Sequence, residues 1–69
     1  MLADMDIRAD IYDSDHRFRQ TERYAAEDID EAKTTGLGLA RALGHAYALV
    51  YVCDGSGGAI LAAEVEVDR

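Results

Sequence analysis

The sequence predicts an α+β domain of element order ββαββ, a four-stranded antiparallel sheet with one helix packed on one face. Two observations carry this prediction. A segment with the 3.6-residue period of a helix lies in the middle of the chain, and two alternating or β-branched segments separated by turn residues lie on each side of it. The 69 residues contain no proline, repeat or linker and have room for one domain, residues 1–69.

The first two strands are predicted as a hairpin over 5–12 and 17–26, joined by the turn DSDH. In MDIRADIY the side chains alternate between apolar and polar, which is typical of a half-buried strand. We place Tyr12 opposite Arg17, since this register joins unlike charges on one face and apolar residues on the other. The resulting pairs are Asp10–Arg19, Asp6–Arg23, Ile11–Phe18 and Met5–Tyr24.

The same register points Gln20 and Glu22 toward the helix side of the sheet. Polar side chains are poor core residues, so a bulge or a position at the sheet margin is expected there.

The helix is predicted within EDIDEAKTTGLGLARALGH, residues 27–45. Its apolar stripe consists of Ile29, Ala32, Gly36, Leu39, Ala40 and Leu43. Asp28 and Glu31 have the spacing of a capping box, and Gly44 follows the helical pattern as a C′ glycine does. Because Gly36 lies on the apolar stripe, we expect it to let the helix approach the sheet closely.

The second hairpin is predicted over 46–53 and 59–67, joined by DGSGG. Pairing Asp54 with Ala59 directs three pairs toward the helix: Val52–Leu61, Val50–Ala63 and Ala48–Val65. The opposite face then presents an apolar set consisting of Tyr47, Leu49, Tyr51, Cys53 and Ile60. Apolar patches of this kind mark interfaces, so we expect a homodimer or a docked partner on this face.

Fourteen acidic and seven basic residues give a net charge of −7. This charge disfavours direct binding to nucleic acid or anionic membranes and favours a basic protein partner. The single cysteine excludes an internal disulfide, and the N-terminus MLADMDI lacks the features of a signal peptide, so we expect a cytoplasmic protein.

The motifs that could carry chemistry do not have the context that they need. After Asp28 and Asp30 the alternating ligand series of an EF-hand stops, and His16 and His45 have no carboxylate at metal-binding spacing. GLGLARALG places its glycines inside a helix rather than before one. GSGG joins two strands with no lysine or helix N-terminus beside it, so a turn is expected rather than a phosphate loop. We therefore predict a protein that is not an enzyme and binds no metal or cofactor.

Two uses remain for the carboxylates. Those at the helix start favour the positive end of the helix dipole, which needs no partner. Carboxylates on a rigid scaffold also imitate the phosphates of a duplex and compete for a basic groove. The residues predicted to meet such a partner are Asp13, Asp15, Glu27, Asp28, Asp30, Glu31, Glu64 and Glu66.

In size, acidity and element order the whole chain resembles several phage-encoded anti-CRISPR proteins. Those proteins bind a Cas effector and block DNA binding, some of them by duplex mimicry. The resemblance implies a non-enzymatic inhibitor that works in the cytoplasm of a bacterial host. The segments IDEA, LARALG and VYVCDGSGGAILAAEV also resemble small bacterial domains with the same element order, which implies the fold and no activity. The alternative is therefore a homodimeric bacterial interaction module whose acidic surface only keeps it in solution.

Overall fold

The computed structural model describes residues 4–68 and confirms the predicted fold class. The strands are β1 (Met5–Tyr12), β2 (Phe18–Ala26), β3 (Tyr47–Cys53) and β4 (Ala59–Glu66), and the helix α1 is Ile29–Ala42. The four strands form one antiparallel sheet in the order β2-β1-β3-β4, so that the first and third strands lie in the centre. Helix α1 covers one face, and we call the other the open face.

The core lies between the helix and the two central strands. Its members are Ile7, Ala9, Ile11, Ala26, Ala32, Ala40, Ala48, Val50 and Val65. The helix contributes only small residues to this set, which allows its backbone to lie close to the sheet. A Cβ atom at Gly36 would lie 3.0 Å from Tyr24 Oη and 3.1 Å from Val50 Cγ2, so the expected role of this glycine is confirmed.

Both ends of the helix use the signals predicted from the sequence. The Asp28 carboxylate accepts a hydrogen bond from the Glu31 amide at 2.8 Å, and Glu31 Oε1 accepts one from the Glu27 amide at 3.3 Å. At the other end Gly44 adopts a φ of 77°. The amides of Gly44 and His45 donate to the carbonyls of Arg41 and Ala40, which is the bonding pattern of a Schellman motif.

The predicted register of the first hairpin is wrong. The Asp13 amide donates to the Arg17 carbonyl, so the loop contains residues 14–16 only, and His16 takes the left-handed position with a φ of 64°. Beyond the loop Tyr12 pairs with Phe18 and Ile11 with Gln20, which leaves Arg19 as the extra residue of a bulge.

As a consequence, the expected charge pairs do not form. Asp6 lies opposite Ala25, and Asp10 lies opposite Thr21, whose hydroxyl donates to it at 2.8 Å. Arg8 lies opposite Arg23. The expected Met5–Tyr24 pair is likewise absent, because Met5 pairs with Ala26.

The expectation for Gln20 and Glu22 is confirmed. They face the helix side from β2, which is an edge strand, and Gln20 Nε2 donates to Glu22 Oε2 at 2.7 Å. A marginal position and a mutual hydrogen bond satisfy both side chains.

The second hairpin is predicted correctly over half of its length. Val50 pairs with Ala63 and Ala48 with Val65, as expected. A bulge at Ala62 then shifts the register, so that Val52 pairs with Ile60 and Tyr51 with Leu61. Both bulges of the sheet interrupt edge strands, a position where they oppose edge-to-edge aggregation.

Helix α1, the one helix of residues 4–68, has 14 residues and is too short to span a bilayer.

Candidate protein-binding surface

The strand registers determine which side chains share the open face. These are Asp6, Arg8, Asp10 and Tyr12 of β1; Phe18, Thr21, Arg23 and Ala25 of β2; Tyr47, Leu49, Tyr51 and Cys53 of β3; and Ala59, Leu61, Glu64 and Glu66 of β4. Aromatic residues gather where β1 ends and β3 begins, whereas arginines lie toward the opposite end. The open face is therefore divided into two chemically different halves.

The aromatic end consists of Tyr12, His16, Phe18 and Tyr47. The rings of Tyr12 and Tyr47 are stacked, with centroids 5.1 Å apart and planes 6° apart. Phe18 meets Tyr12 edge to face at 5.8 Å, and 56% of its surface is exposed. His16 Nδ1 lies 3.0 Å from Tyr47 Oη in a hydrogen bond. Mutual contact fixes the rings while leaving Phe18 accessible, which is the arrangement of an anchor at an interface.

Carboxylates adjoin the aromatic end on the side of β4. Glu66 lies directly opposite Tyr47, and Glu64 lies opposite Leu49. Both are exposed and form no ion pair within residues 4–68. Burial raises the pKa of Tyr47, and the nearby Tyr12, Glu64 and Asp13 raise it further by disfavouring a second negative charge. Glu64 and Glu66 therefore place negative charge beside the aromatic end.

The hairpin loop beside the aromatic end adds two of the predicted carboxylates. Asp13 Oδ1 accepts hydrogen bonds from the amides of Asp15 and Arg17 at 2.9 and 3.0 Å. The Arg17 bond is the main cause that holds the pKa of Asp13 below its ordinary value. Arg19 lies 3.7 Å from the same carboxylate, so its charge is partly balanced. Asp15 is exposed and has no such counter-ion within the described residues.

The other four predicted carboxylates lie at the opposite end of the sheet. Helix α1 starts next to Ala26, which pairs with the first residue of β1, whereas the aromatic end lies at the last residue of β1. Eight residues of strand separate the two ends, which corresponds to about 23 Å. The eight predicted residues therefore form two clusters. We call Glu27, Asp28, Asp30 and Glu31 the helix-start cluster, and the other cluster consists of Asp13, Asp15, Glu64 and Glu66.

Two of the four carboxylates in the helix-start cluster stabilise the helix itself. Asp28 and Glu31 are engaged in capping, as their hydrogen bonds to backbone amides show. Glu27 and Asp30 are exposed. The sequence EDIDEAK is thus explained in large part by the need to start a helix.

The centre of the open face is less apolar than the sequence suggested. The guanidinium of Arg8 lies 4.4 Å from the centroid of the Tyr51 ring and covers it. Its Nε atom is 3.3 Å from the Asp10 carboxylate. Leu49 and Cys53 are half-buried beside these groups. The apolar character expected along all of β3 is therefore concentrated at Tyr47.

Three apolar residues lie on the face of the sheet opposite to the one that the sequence predicts: Ile60, Leu61 and Phe18. Ile60 was expected on the open face, but it pairs with Val52 on the helix side, where 71% of its surface is exposed. Leu61 takes its place opposite Tyr51. Phe18 was expected inside and lies on the open face. The three-residue loop and the Arg19 bulge change the face of Phe18, and the inward position of Gln20 and Glu22 was a sequence signal for that bulge. The Ala62 bulge exchanges Ile60 and Leu61 and has no such signal.

The open face presents aromatic and charged side chains that can bind a partner. Within residues 4–68, no three histidine, cysteine, aspartate or glutamate side chains come together in a way that could hold a metal ion. Cys53 is a free, half-buried thiol in the last position of β3. Stacked rings beside carboxylates are instead suited to receive a cationic side chain.

Comparisons with protein-family models, with curated proteins and with solved structures give no match for this chain.

Proposed function

We propose that the chain is a non-enzymatic inhibitor that binds a basic, nucleic-acid-binding effector and blocks DNA binding by that effector. One observation carries the proposal: an exposed aromatic anchor lies beside carboxylates that have no counter-ion among the described residues. A Cas effector is the first partner class to test, because the chain resembles anti-CRISPR proteins in size, charge and element order.

The chemistry of the aromatic end favours a partner rich in arginine or lysine. An aromatic face attracts a cation within about 6 Å of its centroid, and arginine also stacks on it. Glu64 and Glu66 can accept charge-assisted hydrogen bonds from the same cation. Phe18 supplies exposed apolar area to exclude water around these contacts.

The distribution of acid also supports a role for charge in association. A net charge of −7 attracts a basic surface over a distance of about one Debye length, roughly 8 Å at physiological salt. The helix-start cluster lies too far from the aromatic end to share one small contact with it. It therefore contributes to steering, and the β4 carboxylates contribute to the contact itself.

The proposal is tested with purified Cas effectors from defined CRISPR–Cas systems and fluorescently labelled target DNA. The chain should lower DNA binding by one of these effectors, and the inhibition should weaken as salt is raised. The double variant E64Q/E66Q keeps the size of both side chains and removes two charges at the aromatic end. We expect its affinity for the effector to fall about tenfold or more, which is at least 1.4 kcal/mol.

The matched control is E27Q/D30Q, which removes two exposed charges from the helix start without touching the capping bonds of Asp28 and Glu31. It should retain most of the affinity. Equal losses in the two variants would mean that net charge, not the aromatic end, determines binding. No inhibition of any effector would overturn the proposal.

The second candidate is a homodimer that joins two open faces. It is favoured by the exposure of Phe18 and Leu61, 56% and 53% of whose surfaces reach solvent. In this case sedimentation velocity should show a dimer whose fraction rises with concentration, and Phe18→Arg should abolish it. Phe18 is a better site for this test than Tyr51, since the Tyr51 ring is already covered by Arg8. A monomer at all concentrations would exclude this candidate.

A further inference from the structure

The end of the open face that is remote from the aromatic end contains a cleft lined by arginines and glycines. Its volume is about 220 Å³. Arg8 and Arg23 line it from neighbouring strands, and Gly55, Gly57 and Gly58 line it from the β3–β4 loop. We call it the arginine–glycine cleft. No basic residue lies beside GSGG in the sequence, but the fold brings two arginines to it.

The two arginines concentrate positive charge in an otherwise acidic protein. They lie directly opposite each other on β1 and β2, and like charges in this position repel. The positive charge of Arg8 is partly balanced by the Asp10 carboxylate and by its contact with the Tyr51 ring. Arg23 is exposed and has no carboxylate within ion-pair distance in residues 4–68. An anion between the two guanidinium groups would relieve the repulsion.

The loop adds backbone donors to the cleft. Asp54 Oδ1 accepts hydrogen bonds from the Ser56 and Gly58 amides at 2.9 and 3.0 Å and thereby organises the loop. Gly55 and Gly57 have φ values of 81° and 95°. Their amides donate no hydrogen bond to other described residues. Glycine-rich turns with free amides form concave sites for anions.

We propose that the arginine–glycine cleft is a binding site for one tetrahedral oxyanion, a phosphate or the terminal phosphate of a monoester. Guanidinium groups bind such oxygens in bidentate fashion, and the two glycines whose amides have no partner among the described residues line the same cleft. The volume of the cleft suits one phosphoryl group rather than a whole nucleotide. Asp6 also lines the cleft, and its carboxylate opposes an anion there, so the two guanidinium groups have to outweigh it.

This site is independent of the proposed inhibitor function. It lies at the other end of the sheet, recognises the opposite charge and is tested without any protein partner.

The test is a nuclear magnetic resonance titration of the ¹⁵N-labelled protein with sodium phosphate, against sodium chloride at the same ionic strength. Saturable shifts of the Gly55 and Gly57 amides and of Arg23 Nε are expected with phosphate and not with chloride. Shifts no larger than those with chloride would overturn the proposal. Phenyl phosphate distinguishes the two sources: binding of both probes supports a monoester, and binding of phosphate alone supports the free ion.

The variant Arg23→Gln should weaken phosphate binding about tenfold or more, because it removes the unbalanced guanidinium. Arg17→Gln is the matched control, since Arg17 is an exposed arginine in the first hairpin and outside the cleft. It should bind phosphate as the unmodified protein does. Equal weakening in both variants would show that only net charge matters and would contradict the site. Arg23→Gln also removes a like-charge pair, so its thermal midpoint without phosphate should not fall.

Discussion

Gly36 allows the packing of the helix on the sheet to be measured in isolation. Gly36→Ala adds one methyl group, which would lie 3.0 Å from Tyr24 Oη and 3.1 Å from Val50 Cγ2. Tyr24 cannot move away from the added methyl group without loss, because its hydroxyl donates a hydrogen bond to the Ala32 carbonyl at 2.6 Å. Overpacking of this kind destabilises a protein by about 1–3 kcal/mol. Alanine also favours the helix over glycine by about 1 kcal/mol, so the net loss should be about 0–2 kcal/mol.

Gly38→Ala supplies the matched control. Gly38 lies in the same helix and is exposed, and a Cβ atom there would meet no atom within 4 Å apart from the adjacent backbone of the helix itself. This variant should gain about 1 kcal/mol of stability from helix propensity alone. The difference between the two variants is therefore the packing cost, about 1–3 kcal/mol, because the propensity gain cancels.

Urea denaturation followed by circular dichroism measures both free energies of unfolding. If Gly36→Ala stabilises the protein as much as Gly38→Ala does, the close approach of helix and sheet is refuted. A double-mutant cycle with Tyr24→Phe adds a second check, since removing the hydroxyl removes one of the two close contacts. In the Tyr24→Phe background, Gly36→Ala should destabilise the protein less than in the unmodified protein, by about 0.5 kcal/mol or more.

Two further predictions concern the helix start and the β3–β4 loop. Asp28→Ala should lower the free energy of unfolding by about 0.5–2 kcal/mol, because the helix loses its N-cap, whereas Asp30→Ala should cost less, about 0.3–1 kcal/mol from the helix dipole. Urea denaturation measures both, and equal losses would contradict the capping role. Hydrogen bonds from the Ser56 backbone and side chain and the Gly58 backbone hold the pKa of Asp54 below its ordinary value of 3.8. Its stabilising contribution is therefore present above pH 3.8 and lost as the pH falls through the folded-state pKa. Thermal midpoints measured across this range should fall less steeply for Asp54→Asn than for the unmodified protein, and parallel curves would contradict the assignment.

The fold was predictable because its elements carry independent local signals. The alternation in MDIRADIY gave the bounds of β1, and the glycine after Leu43 gave the helix end. The register of each hairpin was harder to predict, since it depends on loop length and on single bulged residues. His16 occupies a left-handed position that glycine or asparagine more often marks, so the sequence suggested a longer loop.

The candidate site was predictable only in part, for the same reason. Tyr47, Glu64 and Glu66 were placed correctly because they lie beyond the Ala62 bulge, where the expected register holds. Phe18 was missed because Arg19 reverses its face. The pairing of Arg8 with Arg23 was also missed, and with it the arginine–glycine cleft. Such features arise from contacts between distant segments and have no local signature.

The central claim is that the aromatic end antagonises a Cas effector. Phage plaquing on bacteria with defined CRISPR–Cas systems tests it most directly, with cells expressing the unmodified chain, E64Q/E66Q or E27Q/D30Q. We expect restored plaquing in one system by the unmodified chain and by E27Q/D30Q, and little restoration by E64Q/E66Q at equal protein levels. Full restoration by E64Q/E66Q, or no restoration by the unmodified chain in any system, would contradict it.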